Sequence, residues 1–280
     1  MSPHQISPGT QQTLPGTSPH QALRRGDRKL IVPFVTGGIS TDWTAYLDAY
    51  ARAGADAIEI GLPFSDPMLD GPIIQRANDV ALAGGAGVRR ILADLATVST
   101  NVPLIVMTYY NLVQQHGPRR FCAALAQAGV RGLIVPDVPL EELDDLEPAA
   151  AAEGVDLVLL AAPSTPPDRL RDIAGRSRGF VYAVSLMGTT GVRDELAPEA
   201  LDLAATLTAC TDLPVLLGLG ISTARHAIAA ARAADGVVIG SILMRQVLDG
   251  ADPATAGAWL AAVRRAVDQE FPHARSEPQH

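Results

Sequence analysis

The sequence predicts a single large α/β domain folded as a (β/α)8 TIM barrel. Eight short apolar runs recur along the chain, and their unbroken apolar character is typical of strands buried on both faces of a parallel sheet. Stretches with helical spacing, such as TAYLDAYARAGA, separate these runs. Eight strand–helix units in about 240 residues match the size of this barrel. A doubly wound open sheet is the alternative, and the strand count favours the barrel.

The eight predicted strands follow one another at regular intervals. They are LIVPFV (30–35), DAIEIGL (56–62), PLIVMTYY (103–110), GLIVPDV (132–138), DLVLLAA (156–162), FVYAVSL (180–186), PVLLGLG (214–220) and GVVIGS (236–241). At several junctions a helix ends at a glycine and a strand begins, so Gly54, Gly129 and Gly154 are predicted left-handed caps. Helical spacing also predicts extra helices over 73–85 and 87–98, and a short helix after the last strand.

The ends of the chain differ in composition from its centre. Residues 1–28 are rich in Pro, Gln, Ser and Thr and lack the apolar centre of a signal peptide, so we expect a disordered extension without a function. The barrel then takes residues 29–270, and residues 271–280 form a flexible tail.

Charge and composition exclude several classes of protein. The formal net charge of -8 argues against a nucleic-acid surface, and no apolar run reaches the length of a membrane span. Cys122 and Cys210 lack metal-ligand spacing and are predicted to be reduced, buried thiols. These features predict a cytoplasmic enzyme.

Chemistry in such a barrel is expected at the carboxyl ends of the strands. Glu59 lies near the end of the second strand, and Asp66 and Asp70 follow in the next loop. A carboxyl group that points into a barrel has a raised pKa, which suits proton transfer. The alternative is that Glu59 points outward and pairs with a Lys or Arg of a covering helix.

Glycines follow the last two predicted strands. GLGIST and IGSIL each place glycine just before a helix, where free N–H groups attract an anion. These two loops are a recurrent phosphate site of the barrel, although the glycines could also serve tight turns alone. MGTTG, with Gly188 and Gly191, could form a lid over the phosphate.

Several segments resemble one family. IEIGLPFSDPMLDGP, MTYYN, GLIVPDVPLEE, VYAVSLMGTTG, GLGIST and DGVVIGS resemble, in this order, segments of the tryptophan synthase alpha chain family, the indole-3-glycerol-phosphate lyases. The similarity runs from Leu30 to Gln269. It implies a retro-aldol cleavage of indole-3-glycerol phosphate into indole and glyceraldehyde 3-phosphate.

The resemblance also implies a role for each matched position. Glu59 would protonate indole C3 and then accept the glycerol hydroxyl proton, Asp70 would accept the indole N–H, and Tyr182 would line the pocket near the scissile bond, with Tyr109 behind it. The remaining matches are Thr190 in the lid, the phosphate positions Gly191, Gly220, Gly240 and Ser241, and the apolar pocket walls Phe34, Val106, Ile134 and Val238. Tyr109 and the four apolar residues could instead be plain core.

The family implies a partner as well. The chain itself would need no cofactor or metal, and pyridoxal phosphate would belong to a tryptophan synthase beta chain in an alpha2beta2 tetramer. A stand-alone lyase that releases free indole is the alternative. Further alternatives are a barrel that mainly activates a beta chain and another phosphate-binding barrel enzyme. The chain departs from the family pattern at GGISTDW, Leu69, Thr189 and Leu219, and the first of these leaves the role of that loop open.

Overall fold

The computed structural model describes residues 17–24, 28–184, 198–218 and 220–272, which form a closed barrel of eight parallel strands. The strands pair in chain order, and the last returns to the first. They are β1 (Leu30–Thr36), β2 (Ile58–Gly61), β3 (Leu104–Met107), β4 (Gly132–Ile134), β5 (Asp156–Ala161), β6 (Val181–Val184), β7 (Val215–Gly218) and β8 (Gly236–Ile239). All eight predicted strands are confirmed, and closure excludes the open-sheet alternative.

Helices surround the barrel. Those in the described residues are α1 (Pro19–Ala22), α2 (Thr44–Arg52), α3 (Pro72–Ala83), α4 (Val88–Leu95), α5 (Tyr110–His116), α6 (Pro118–Gln127), α7 (Leu146–Ala152), α8 (Pro167–Arg176), α9 (Pro198–Cys210), α10 (Ala224–Ala233), α11 (Ser241–Leu248) and α12 (Pro253–Glu270). The extra helices α3 and α4 confirm the sequence prediction. Gly54, Gly129 and Gly154 adopt φ angles of 90°, 78° and 64°, as expected of left-handed caps.

The strands bury both of their faces. Inside the barrel, one apolar cluster joins residues on or directly before each strand, and it includes Leu30, Val32, Ala57, Ile105, Ile134, Val158, Phe180, Leu216 and Val238. The alternating residues pack outward against the helices in a second, larger cluster. Since side chains alternate along a strand, each strand must be apolar throughout, which explains the unbroken apolar runs.

The amino-terminal end of the barrel is covered by residues that the sequence analysis assigned to the extension. Leu23 is buried within the interior cluster, and the His20 backbone N–H donates to Asp156 Oδ2 at 2.7 Å. Pro19 packs against Gly132 and Gly179, where an added Cβ would lie 3.0 and 2.8 Å from the proline. The prediction of disorder is therefore wrong for residues 17–24. Residues 1–16 and 25–27 lie outside the described residues.

Two smaller expectations are also decided by the fold. Cys122 is a buried free thiol in α6, as predicted, whereas Cys210 is exposed because it ends α9 and turns toward solvent. None of the described helices combines the length and the apolar composition that crossing a membrane requires.

Candidate active site

Glu59 lies on β2 and points into the barrel. Its neighbour at i−2, Ala57, belongs to the interior cluster, and the side-chain alternation of a strand places Glu59 on the same face. The residue is only 2% exposed, and among the described residues Oε2 has no hydrogen-bond partner. The outward, ion-paired alternative is therefore excluded. Burial, and then the charge of Asp70, raises the Glu59 pKa to about 8.

Asp70 lies in the loop after β2, directly before the first turn of α3. Asn78, one of the residues on the buried side of α3, donates from Nδ2 to Asp70 Oδ2 at 3.2 Å. Burial raises the Asp70 pKa to about 6, and the hydrogen bonds from Asn78 and Tyr109 limit the rise because they stabilise the carboxylate. The two carboxyl groups thus have different pKa values, as a pair with separate roles requires.

Tyr109 fixes the Asp70 loop. It follows β3, and its hydroxyl accepts a hydrogen bond from the Leu69 backbone N–H at 3.0 Å while it donates to Asp70. Its ring stacks on Phe64, with centroids 5.1 Å apart. Burial, with the nearby charge of Asp70, raises the Tyr109 pKa to about 12, so that the phenol remains a neutral donor at neutral pH.

Tyr182 contributes from β6. Burial, followed by the negative charges of Glu59 and Asp70, raises its pKa well above the ordinary value, so this phenol is also neutral. Its ring lies against Gly218 of β7, where an added Cβ would come within 2.5 Å of Cε2. The structure therefore brings Glu59, Asp70 and Tyr182 within electrostatic range of one another.

Three of the four expected wall residues belong to the barrel interior. Ile134 and Val238 are part of the interior cluster. Phe34 follows the interior residue Val32 by two positions on β1 and so faces inward as well, with its ring beside Gly61 at the end of β2. Val106 is a correction, because it lies between Ile105 and Met107 on β3, which both belong to the interior cluster, and therefore faces the helices. Its neighbour Met107 faces inward and pairs in register with Ile134, so Met107 takes the place that the sequence analysis gave to Val106.

The expected anion site lies where β7 and β8 end. Gly220 follows β7 with a φ of 51°, and the Thr223 hydroxyl caps α10 by accepting a hydrogen bond from the His226 N–H at 3.2 Å. Gly240 precedes α11, whose first turn begins at Ser241 and leaves its N–H groups without intrahelical partners. Gly240 also borders Phe34, where an added Cβ would be 3.5 Å from the Phe34 Cβ. An anion at α11 would therefore adjoin the apolar interior.

Several predicted residues lie outside the described ones. These are Thr190 and Gly191, the lid segment around them with Gly188 and Thr189, and Leu219.

The GGISTDW loop packs on neighbouring helices. An added Cβ at Gly38, whose φ is 75°, would lie 2.6 Å from the Cβ of Ala86, between α3 and α4. Trp43 is buried and donates from Nε1 to Asp94 of α4 at 2.9 Å. The departure from the family pattern is thus accommodated by contacts with the α3–α4 region.

Sequence reasoning missed three residues of this site, namely Phe64, Asn78 and Met107. Asn78 could have been found from the sequence, because it lies beside the apolar residues Ala77 and Ala81 on the buried side of α3. A buried amide needs a hydrogen-bond partner, which here is Asp70. No sequence signal indicated Phe64, because it stacks on Tyr109 of a different loop.

The chain is similar to known proteins over most of its length. A model of the family described as "Tryptophan synthase alpha chain" matches residues 20–270. The tryptophan synthase alpha chain of Methanosarcina mazei is 45% identical over 233 residues, which cover 82% of this chain and 85% of the relative. That of Streptomyces avermitilis is 44% identical over 234 residues, covering 83% and 82%.

Solved structures give the same result. A chain of tryptophan synthase from M. tuberculosis superposes with a TM-score of 0.78 at 34% identity, over 86% of this chain and 93% of that chain. Tryptophan synthase subunit alpha from Legionella pneumophila gives a TM-score of 0.78 at 32% identity, with the same coverage. The matched segment contains the barrel together with Glu59, Asp70 and Tyr182, and the chain belongs to the tryptophan synthase alpha chain family.

Proposed function

We propose that this chain cleaves indole-3-glycerol phosphate to indole and glyceraldehyde 3-phosphate as the alpha subunit of tryptophan synthase. Its family makes it a carbon–carbon lyase. The observation that carries the assignment of residues is the buried carboxyl group of Glu59. Its Oε2 has no hydrogen-bond partner among the described residues, and the group is close enough to Asp70 for the charge of Asp70 to raise the Glu59 pKa.

The first step is protonation of the indole ring. Carbon is a poor leaving atom until it is protonated, so the bond between indole C3 and the glycerol chain needs an acid. Glu59, with a pKa of about 8, still carries its proton at neutral pH and can give it to C3. The positive charge that this creates spreads to the indole nitrogen. Asp70, with a pKa of about 6, is ionised at the same pH and can accept the N–H.

The second step breaks the carbon–carbon bond. Glu59, now a carboxylate, removes the proton of the glycerol hydroxyl adjacent to the bond. The electrons of that O–H form the aldehyde, and the electrons of the broken bond restore the aromatic ring. Glu59 ends protonated, ready for another substrate. Tyr182 remains neutral and, in this proposal, positions the substrate near the bond that breaks.

The two ends of the substrate fit the two parts of the site. Phe34, Met107, Ile134 and Val238 offer an apolar surface to the ring. The phosphate would bind the N–H groups around Gly220, Gly240 and Ser241, with Thr190 and Gly191 of the lid completing the site. One substrate that is apolar at one end and anionic at the other can occupy both.

An acid–base route also fits the lysine content of the chain. A Schiff-base aldolase needs an amine at the reacting carbon. The only lysine in the sequence is Lys29, which precedes β1 at the opposite end of the barrel. We therefore propose that the chain uses no cofactor, and that pyridoxal phosphate belongs to the beta chain alone.

A surface beside the site supports the proposed partner. Met68 and Leu69 are 80% and 50% exposed in the loop that carries Asp70. A neighbouring cleft of about 390 Å³ is lined by Phe64, Leu82, Val88 and Leu112, among others. Exposed apolar surface of this kind favours a protein interface. We propose that a tryptophan synthase beta chain covers it in an alpha2beta2 assembly, in the cytoplasm.

Indole release from indole-3-glycerol phosphate tests the proposal, with and without a beta chain from the same source. Slow release that rises strongly with the beta chain would support it. Fast release that the beta chain does not change would instead indicate a stand-alone lyase. No release in either condition would contradict the proposed substrate.

A further inference from the structure

At the carboxyl end of the barrel strands, the ring of Phe34 fills the space that a side chain at position 61 would need. Gly61 ends β2, two residues after Glu59 and on the same inward face. The ring of Phe34, from the adjacent strand β1, lies across this position. A Cβ added to Gly61 would be 2.5 Å from the Phe34 Cζ and 2.8 Å from Cε2, far inside normal contact distance.

The backbone does not explain why residue 61 is glycine. Nine glycines of the described chain have positive φ angles, which favour glycine over other residues, and Gly61 is not one of them. An alanine could therefore adopt the same backbone. What opposes an alanine is its overlap with the ring of Phe34, which would have to shift.

The ring has little room to move aside. Phe34 is 5% exposed, and Gly240 borders the base of its side chain on the side opposite β2. The sheet itself closes the space behind the ring. A methyl group at position 61 would consequently push the ring toward the barrel axis, into the space that the indole ring of the substrate must enter.

We propose that Gly61 is a specificity-determining residue that acts through Phe34. Because Gly61 lacks a side chain, the outer edge of the Phe34 ring can occupy the position beside it, and the space toward the barrel axis is left for the aromatic ring of the substrate. This inference rests on the proposed function, since it assigns the aromatic end of the substrate to the Phe34 side of the site.

Gly61→Ala tests the inference, because the variant should change KM and kcat to different extents. The displaced ring should raise KM for indole-3-glycerol phosphate about tenfold, because overpacking by one methyl group costs about that factor. The value of kcat should change much less. The affinity for glycerol 3-phosphate, which has the phosphate but no ring, should stay unchanged in calorimetry. A crystal structure of the variant should show the Phe34 ring moved toward the axis.

Rescue distinguishes this role from general damage to the barrel. Phe34→Leu in the Gly61→Ala background removes the overlap and should return KM to within about threefold of the Phe34→Leu single variant. If Gly61→Ala alone fails to fold and the double variant folds, the coupling between the two positions is shown directly.

Gly132→Ala is the matched control. Gly132 begins β4 at the other end of the barrel, and an added Cβ there would be 2.8 Å from Ile105 Cγ1, an overlap of similar severity. This variant should lose thermal stability but keep the KM of the wild type.

Three results would overturn the inference. They are an unchanged KM in Gly61→Ala, an equal loss of affinity for glycerol 3-phosphate, and a double variant that does not recover. Failure of the proposed function looks different, since the wild type itself would then release no indole.

Discussion

Two single residues, Glu59 and Asp70, carry carboxyl groups with different pKa values, about 8 and about 6. Burial keeps Glu59 protonated, and within the described part of the chain its Oε2 has no hydrogen-bond partner, whereas Asn78 and Tyr109 stabilise the ionised form of Asp70. The same residue type therefore serves as an acid at one position and as an anion at the other.

The pH dependence of kcat/KM should reflect this difference. The active form has Asp70 ionised and Glu59 protonated. Activity should therefore rise with pH through about 6 and fall through about 8, and these apparent values belong to the coupled pair. Initial rates between pH 5 and about 9.5 measure the profile. A flat profile across this range would contradict the assignment of the two roles.

Asn78→Ala should move only the acidic limb of that profile. Without the amide donor the Asp70 carboxylate is less stable, so the limb should shift upward by about one pH unit, given about 1.4 kcal/mol for such a hydrogen bond. Gln75→Ala is the control, since exposed Gln75 contacts only the backbone oxygen of Asp70. An acidic limb at the same pH in Asn78→Ala and wild type would show that Asn78 does not tune Asp70.

At the scale of elements, the segment around α1 is part of the barrel. Leu23 fills the amino-terminal end of the interior, and Pro19 fits the notches that Gly132 and Gly179 leave. Composition predicted a segment without structure or function, because Pro, Gln and Ser predominate there. The few residues that make the contacts have partners more than 100 positions away, which composition does not show.

Two truncations test the contribution of α1. Deletion of residues 2–24 exposes the site of Leu23 and should reduce the free energy of unfolding by about 3 kcal/mol, roughly the value of burying one large apolar side chain. Deletion of residues 2–16 keeps every described contact and should leave that free energy unchanged. Urea unfolding of both variants gives the comparison. Equal stability of the longer deletion and the wild type would mean that α1 contributes nothing.

For the molecule as a whole, the raised pKa of Glu59 makes the free energy of unfolding depend on pH. In the unfolded chain a Glu loses its proton near pH 4.5, whereas folded Glu59 keeps it to about pH 8. Between these values the folded state binds the extra proton, so the contribution of Glu59 to stability falls as pH rises. Below pH 4.5 this contribution is fully present.

Glu59→Gln should therefore show a pH-dependent gain relative to the wild type. The difference in unfolding free energy should move in favour of the variant by roughly 1.4 kcal/mol per pH unit between pH 4.5 and 8. Urea titrations at three pH values are sufficient. A difference that is constant over this range would mean that Glu59 has an ordinary pKa in the folded protein.

The barrel could be predicted from the sequence because the strands of a parallel barrel are buried on both faces. The eight unbroken apolar runs are the direct sign of such strands. Val106 was assigned through the family resemblance, and the unbroken apolar run around it offered no check, since a run without alternation does not show which side chains face inward. The acidic loop with Asp70 was predictable as well, but the residues that hold it in place were not. Asn78 and Phe64 reach Asp70 and Tyr109 only through the packing of α3 and the loops.

Turnover by Glu59→Gln tests whether Glu59 carries the proton in the proposed cleavage. Gln has nearly the same shape as Glu but cannot carry the proton, so indole release should fall by at least about a thousandfold while the barrel stays folded by circular dichroism. Asp66→Asn, which neutralises an exposed carboxylate of the same loop, should keep intrinsic turnover close to that of the wild type without a beta chain. Wild-type turnover in Glu59→Gln would contradict the account, because another group would then move the proton.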